Sequence, residues 1–200
     1  MAITNGYTTL AELKAALRIP ASDSIDDSLL ERAINSASRL IDGYANRSFF
    51  NGGTATRIYA PQDAYVTQFD DLQTLTTLET SSDGDGFDTT WGTASYQLEP
   101  LNGISDGLST PYTRVRAIDD LTFLTLGEEA TVRITGVWGW ASVPDAIAQA
   151  CVIQSERIFK RLDSPLGVAG FGDMGVVRVT SRLDSDVAQL VEPYRKIRFA

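Results

Sequence analysis

The apolar residues of this chain change period twice. In residues 8–49 they recur every three or four positions, from about 54 to 138 they alternate in short runs broken by Gly, Pro, Asn and Asp, and from about 143 the helical spacing returns. Neither an all-helical bundle nor an all-β sheet satisfies both spacings, so the chain reads as α+β. The expected architecture is a small bundle of about four helices, residues 1–53 and 139–200, with an antiparallel β-rich module, residues 54–138, inserted between the second and third helices.

The helical signals carry their own boundaries. In "TTLAELKAALRIP" Thr9 stands as N-cap with Glu12 three residues on, a capping box; Leu10, Leu13 and Leu17 share a face, and Pro20 follows the end. "SIDDSLLERAINSASRLIDGYANRSF" repeats the pattern with Ser24 and Asp27 as a second box and a stripe of Leu30, Ala33, Ile34, Ala37, Leu40, Ile41 and Tyr44. "VPDAIAQACVIQSERIFKRLD" places Pro144 and Asp145 in a first turn. Val143, Ile147, Cys151, Ile158 and Leu162 form its seam, widened by Ala146, Ala150, Val152 and Ile153. A last short helix carries Val187, Leu190 and Val191, capped by Asp184 or Ser185 and stopped near Pro193. Between these, "TRIYA", "YVTQF", "LQTLTTLET", "TTWGTASYQLEP", "TRVRAI", "LTFLTL" and "ATVRITGVW" read as strands.

Charge and residue usage exclude several functions. Residues 1–150 hold 9 Lys and Arg against 20 Asp and Glu, and residues 151–200 hold 8 against 6, so the net charge of −9 is concentrated in the first three quarters. Such a body repels phosphates, which argues against duplex binding as the main task. The chain has no histidine, which removes Cys-His and Ser-His-Asp catalysis and the commonest transition-metal ligand. Its single cysteine, Cys151, sits in an apolar helical stretch and reads as a buried small hydrophobe. No run of eighteen apolar residues and no basic-apolar leader is present, so neither a membrane span nor a secretion signal is expected. No enzyme activity, cofactor or metal is expected.

Three patterns invite chemistry and lose it on inspection. Gly170, Gly172 and Gly175 match G-x-G-x-x-G, but a dinucleotide site needs a strand before and a helix after, and the order here is reversed. Asp83, Asp85 and Asp88 resemble a calcium loop without its bidentate Glu or flanking helices, and read as a hairpin turn, a weak cation site being the other reading. The pairs Asp70/Asp71, Asp119/Asp120 and Glu128/Glu129 put adjacent carboxylates on opposite faces or in solvated turns.

Two segments remain as candidates for contact. The glycine loop of Gly167, Val168, Gly170, Phe171, Gly172, Met174 and Gly175 interleaves apolar side chains with permissive backbone. The ending "PYRKIRFA" sets Arg195, Lys196 and Arg198 among Tyr194, Ile197 and Phe199, a cationic, sticky terminus suited to an acidic or apolar groove, or else simply a frayed end.

Three stretches resemble the head-to-tail connector, or adaptor, family of long-tailed bacteriophages: "YTTLAELKAALRI…DDSLLERAINSASRLIDGYANRSF", "ITGVWGWASVPDAIAQACVIQSERIFKRLDSPLGVAGFG" and "GVVRVTSRLDSDVAQLVEPYRK". The resemblance implies a non-enzymatic virion protein of the neck, made in the host cytoplasm, that forms a ring, usually of twelve, below the portal with DNA passing through the lumen. It implies that Tyr194, Arg195, Lys196, Ile197, Arg198 and Phe199 dock on the portal. Loops would meet the stopper, and the glycine loop would order on a neighbouring subunit or ring. The apolar cover at 146–153, or Trp138 and Trp140, would serve either the core or the ring interface. The other reading is a non-catalytic binding module, a protein- or carbohydrate-recognising β domain on a helical base, displaying Tyr65, Trp91, Tyr96 and Tyr112.

Overall fold

A computed structural model describes residues 2–161, 168–170, 176–178 and 183–196. The chain divides into two compact units, Met1–Phe50 with Val143–Ala200, and Asn51–Ser142.

The first unit is helical: α1 (Leu10–Leu17), α2 (Asp27–Ala45), α3 (Asp145–Lys160) and α4 (Ser185–Val191). The expected box closes on α1, where Thr9 Oγ1 accepts from the Glu12 N–H and the Glu12 carboxylate accepts from the Thr9 N–H at 2.9 Å. The second expected box does not form. Asp26, not Ser24, occupies the N-cap of α2 and makes no side-chain cap bond there; instead Asp27 pairs with the buried Lys14, whose Nζ also donates to the Asp23 carbonyl at 2.7 Å. The carboxylate is thus used to satisfy a cation that α1 buries.

Along α2, Leu30, Ala33, Ile34, Ala37, Ile41 and Ala45 are buried, and each fully buried Leu or Ile contributes about 1.5–3 kcal/mol. Leu40 departs from the expected stripe: it sits one position, hence about 100°, round the helix from Ile41 and is 49% exposed. Helix α2 packs on α3 and α4, and α1 on α2 and α3. On α3 the buried set is Ile147, Ala150, Cys151, Gln154 and Ser155. Two of these are polar, and Ser155 Oγ lies 3.8 Å from Cys151 Sγ. Asp184 caps α4 by accepting from the Asp186 N–H at 2.8 Å, as expected. Val168–Gly170 pairs antiparallel with Val176–Arg178 (β9 and β10 in chain order), so Val168 and Gly170, expected in a loop, are strand residues.

The second unit contains β1 (Asn51–Tyr59), β2 (Val66–Thr80), β3 (Thr89–Trp91), β4 (Tyr96–Glu99), β5 (Ile104–Ser105), β6 (Leu108–Ser109), β7 (Tyr112–Ala117) and β8 (Val132–Gly139). The main sheet runs β1-β8-β2-β7-β4, with β3 also paired to β2, and β5 and β6 form a separate small hairpin. Two expected strands, "YVTQF" and "LQTLTTLET", fuse into β2, while "TTWGTASYQLEP" splits into β3 and β4. "LTFLTL" is no strand: it is a loop that delivers Phe123 to the core, ring-stacked on Trp91 at 4.7 Å.

Register shifts within 68–72, 72–74 and 75–77 bend and coil β2. Gly136 permits one of them, since a Cβ there would strike the Thr74 carbonyl oxygen and lie 2.8 Å from Leu72 Cδ1. The coiled sheet encloses Phe69, Leu72, Leu78, Trp91, Val115, Phe123, Val132, Ile134 and Trp138. Trp138 and Trp140 are 1% and 5% exposed, so neither tryptophan offers the surface patch considered for them.

Candidate assembly surfaces

Among the described residues no cluster of three His, Cys, Asp or Glu side chains stands within metal-binding reach. Burial pushes the Cys151 thiol up, against weaker opposing bonds from Ser38 and Ser155, which keeps it a protonated core residue. In the 81–88 turn the carboxylates are used on the turn itself: Asp88 accepts from the Ser82 N–H at 3.0 Å and Asp83 from the Asp85 N–H at 2.9 Å, while Gly84 and Gly86 take positive φ. That is the hairpin turn expected from the Asp-Gly repeats. Of Asp70 and Asp71, the first faces solvent and the second is buried and accepts from Trp140 Nε1 at 3.0 Å, so they point to opposite faces.

The C-terminal segment is fixed further along than its composition suggests. The Lys196 N–H donates to the Ala45 carbonyl at 2.8 Å, and Asn46 Nδ2 donates to the Lys196 carbonyl at 3.2 Å. Arg47 Nη1 donates to the Tyr194 carbonyl at 3.2 Å, and the Tyr194 ring meets Phe49 edge-on at 5.9 Å. Arg195 lies over the Tyr44 ring at 5.3 Å, and Tyr44 Oη donates to Glu192 at 2.6 Å. Helix α2 ends where its free carbonyls meet this strap, with Asn46 in the left-handed region to turn the chain out. Tyr194, Arg195 and Lys196 are therefore held against the helical unit. Ile197, Arg198 and Phe199 lie outside the described residues, as do Gly167, Phe171, Gly172, Met174 and Gly175.

The same end of α2 is tied to the first residues. Tyr7 Oη donates to Asp42 and accepts from the Phe49 N–H at 2.8 Å, while Arg39 Nε pairs with Asp42 at 2.9 Å and Arg39 Nη2 reaches the Asn5 carbonyl at 3.0 Å. Burial pushes the Tyr7 phenol up, helped by Asp42; burial also raises Asp42, against the bonds from Tyr7 and Arg39. Sequence periodicity did not single out Tyr7, because its partners are thirty-five and forty-two residues away.

The sheet unit presents a different surface. It carries 13 acidic and 4 basic side chains, net −9, whereas the remaining residues hold 13 of each. A pocket of about 590 Å³ opens beside β4, with Gln73, Thr74, Thr93 and Asn102 lining it as well as Leu75, Tyr96, Leu98, Leu101 and Tyr112. Leu101 and the nearby Ile104 are more than half exposed. Of the aromatics considered for binding, Trp91 is buried, Tyr96 and Tyr112 line this pocket, and Tyr65 is 55% exposed elsewhere.

Residues 7–79 match the phage gp6-like head-tail connector proteins, a stretch that starts at Tyr7, takes in α1, α2 and β1, and stops one residue short of the end of β2. The fold of the whole chain has counterparts among solved structures. A chain from the neck of an empty GTA particle computed with C6 symmetry aligns over 100% of this chain and 95% of its own, with TM-score 0.59 and 19% identity. One from the neck of a native GTA particle computed with C12 symmetry aligns over 100% and 94%, with TM-score 0.56 and 17% identity. A third, from the virion of a native gene transfer agent particle, gives 100% and 95%, TM-score 0.56 and 18% identity. At such identities the likeness is one of fold. No curated protein matches the chain in sequence.

Proposed function

We infer that this chain is a structural neck protein, an adaptor at the head-tail junction of a phage-like particle that acts by contact and performs no chemical step. The observation that carries this reading is the connector match over residues 7–79, supported by a fold shared end to end with chains from particle necks. The copies form a ring, in keeping with the sixfold and twelvefold symmetry named for those necks, and we assign twelve. One side of the ring docks on the portal and the other on the stopper, while DNA crosses the lumen. A sheet unit of net charge −9 suits that passage, because it repels phosphates over a screening length of ~8 Å and offers no grip.

The portal contact is assigned to the C-terminal segment, with Tyr194, Arg195 and Lys196 acting as its folded root and Ile197, Arg198 and Phe199 as the docking tip. The segment containing Gly167, Val168, Gly170, Phe171, Gly172, Met174 and Gly175 is assigned to contact with a neighbouring subunit or ring. Particles produced without this chain are expected to show heads and tails that fail to join under negative stain; joined particles would overturn the adaptor reading. Deleting residues 197–200 is expected to leave the melting curve unchanged and to weaken portal binding at least about tenfold, an effect on the scale of losing one interface anchor. Undiminished binding would remove the docking assignment alone.

A further inference from the structure

The sequence holds three Asn-Gly pairs, Asn5 with Gly6, Asn51 with Gly52 and Asn102 with Gly103. Beside glycine an asparagine carboxamide is open to attack by its own main chain, because a following residue without Cβ lets its amide nitrogen approach the asparagine Cγ. Asparagine is accordingly among the thermolabile residues. As dipeptides the three pairs are identical, so any difference between them comes from the fold.

Two of the pairs are pinned. The Asn5 carbonyl accepts from Arg39 Nη2 at 3.0 Å and the Tyr7 N–H donates to Ser38 Oγ at 3.1 Å; between them Gly6 is so enclosed that a Cβ there would lie 2.9 Å from Ile34 Cγ2. The Asn51 carboxamide is engaged, its Oδ1 accepting from the Gly53 N–H at 2.8 Å, and Gly52 lies against the Trp138 carbonyl beside the β1–β8 ladder. Asn102 is held differently. It is exposed, and its carboxamide makes no hydrogen bond among the described residues. Its φ of 59° and the 64° of Gly103 put two successive residues in the left-handed region, the turn for which Asn-Gly is the favoured pair, so the residues that make the turn also make the reactive pair. The bonds across it run from the Gly103 N–H to the Pro100 carbonyl at 3.0 Å and from the Thr110 N–H to the Gly103 carbonyl at 2.8 Å. They belong to an exposed segment, the approach to the β5–β6 hairpin, which lies outside the main sheet. Such a segment opens locally while the core stays closed.

We propose that Asn102 is a site of spontaneous self-modification, deamidating to aspartate and isoaspartate while the fold spares Asn5 and Asn51. The Gly103 amide nitrogen, its proton taken by solvent base, bonds to Asn102 Cγ. The bond from Cγ to the side-chain nitrogen breaks, and ammonia leaves with a proton from water, so a five-membered succinimide closes without any change of oxidation state. Water then opens the ring at one of its two carbonyls. Opening at Cγ gives aspartate at 102; opening at the main-chain carbonyl gives isoaspartate, with the backbone rerouted through Cβ and Cγ. Either product puts a carboxylate beside the pocket that Asn102 lines, in a unit already at net −9. The isoaspartate also lengthens the backbone by one carbon, which breaks the turn and its Thr110–Gly103 bond. This inference stands apart from the neck reading.

The test keeps the full-length protein folded at mildly alkaline pH, samples it over time and maps its peptides by mass spectrometry, with isoaspartate told from aspartate by electron-transfer fragmentation. Asn102 is expected to convert at least about tenfold faster than Asn5 or Asn51, the difference between opening an exposed turn and opening a packed element. Its rate should climb with pH, because the attacking nitrogen must lose its proton. In urea the three sites should convert at similar rates; a preference for Asn102 that persists there overturns the role given to the fold. Conversion led by Asn5 or Asn51, equal conversion of all three in the folded chain, or an Asn102 that stays intact overturns the proposal. Asn102→Asp supplies the charge without the extra backbone carbon. Hydrogen exchange over residues 104–110 is expected to quicken in aged protein and not in this variant, and equal exchange in the two rejects the isoaspartate product.

Discussion

The two units solve opposite problems. The helical unit, together with the residues that complete it, is charge-balanced and draws its ends inward: Tyr7, Arg39 and Asp42 fasten the start, and Asn46, Arg47 and Ala45 fasten Tyr194 to Lys196. The sheet unit carries the whole net charge, has edge strands β1 and β4 unpaired on one side among the described residues, and leaves a pocket open. Closing polar groups internally favours a rigid base, whereas open edges and uncompensated charge favour contact and repulsion at chosen places. The difference shows how one chain can be both firmly folded and ready to assemble.

The largest test of this contrast is Trp138→Ala. The indole is buried against Tyr59, Phe69 and Arg57, and its Nε1 donates to the Ala55 carbonyl at 2.8 Å. Its removal is expected to cost the sheet unit about 3–5 kcal/mol. Hydrogen exchange read by mass spectrometry should show protection lost in residues 51–142 and kept in α2 and α3; equal loss in both would dissolve the distinction. Tyr7→Phe probes the other unit. It removes the hydroxyl that both Asp42 and the Phe49 N–H use, and is expected to cost ~1–3 kcal/mol in denaturant titration with residues 51–142 unaffected. Thr9→Ala removes one half of the capping box of α1 and should cost about 1 kcal/mol, with fraying confined to that helix.

The smallest effect is in pH. Arg133 holds Glu79, and Arg116 holds Glu99, below the usual carboxylate range. With folded values lowered, the stability they add is present above the unfolded value of ~4.3 and is lost as pH falls through the folded one. Asp42 in the helical unit has the opposite sign: its raised value favours the fold at low pH, and that contribution is lost as pH rises through the folded value. Glu12 is lowered by its cap bonds and partly offsets Asp42. Acidification from about pH 6 to about pH 3 should therefore weaken the sheet unit more than the helical one, by under ~1 kcal/mol per exposed pair. Equal acid sensitivity would count against the assignment.

Local signals in the sequence were read correctly where the partners are close along the chain. The Thr9–Glu12 box, the α2 stripe, the Asp184 cap and the 81–88 turn all depend on residues within a few positions of each other. What was misread depends on distance. Ser24 loses its box because Asp27 is drawn to Lys14, thirteen residues back. The 121–126 run alternates like a strand, but its Phe123 N–H bonds the Ala64 carbonyl at 2.8 Å and Thr131 Oγ1 holds the Leu124 carbonyl at 2.5 Å, so the run is spent as a loop. Trp138 and Trp140 read equally well as surface or core because aromatic content does not say which face a strand buries. The pocket was hidden for the same reason, its lining being gathered from β2, β4, β7 and the turn after β4.

Strand β8 lies between β1 and β2 in space but follows them by more than fifty residues in the chain. During synthesis the first two strands leave the ribosome with their separating partner still unmade, and contacts this remote in sequence fold slowly. The central ladder of the sheet is completed only when Gly139 emerges, a few residues before α3 begins. The nascent chain therefore withholds its finished sheet until β8 has emerged, and premature pairing of unfinished edges is the hazard it must outrun.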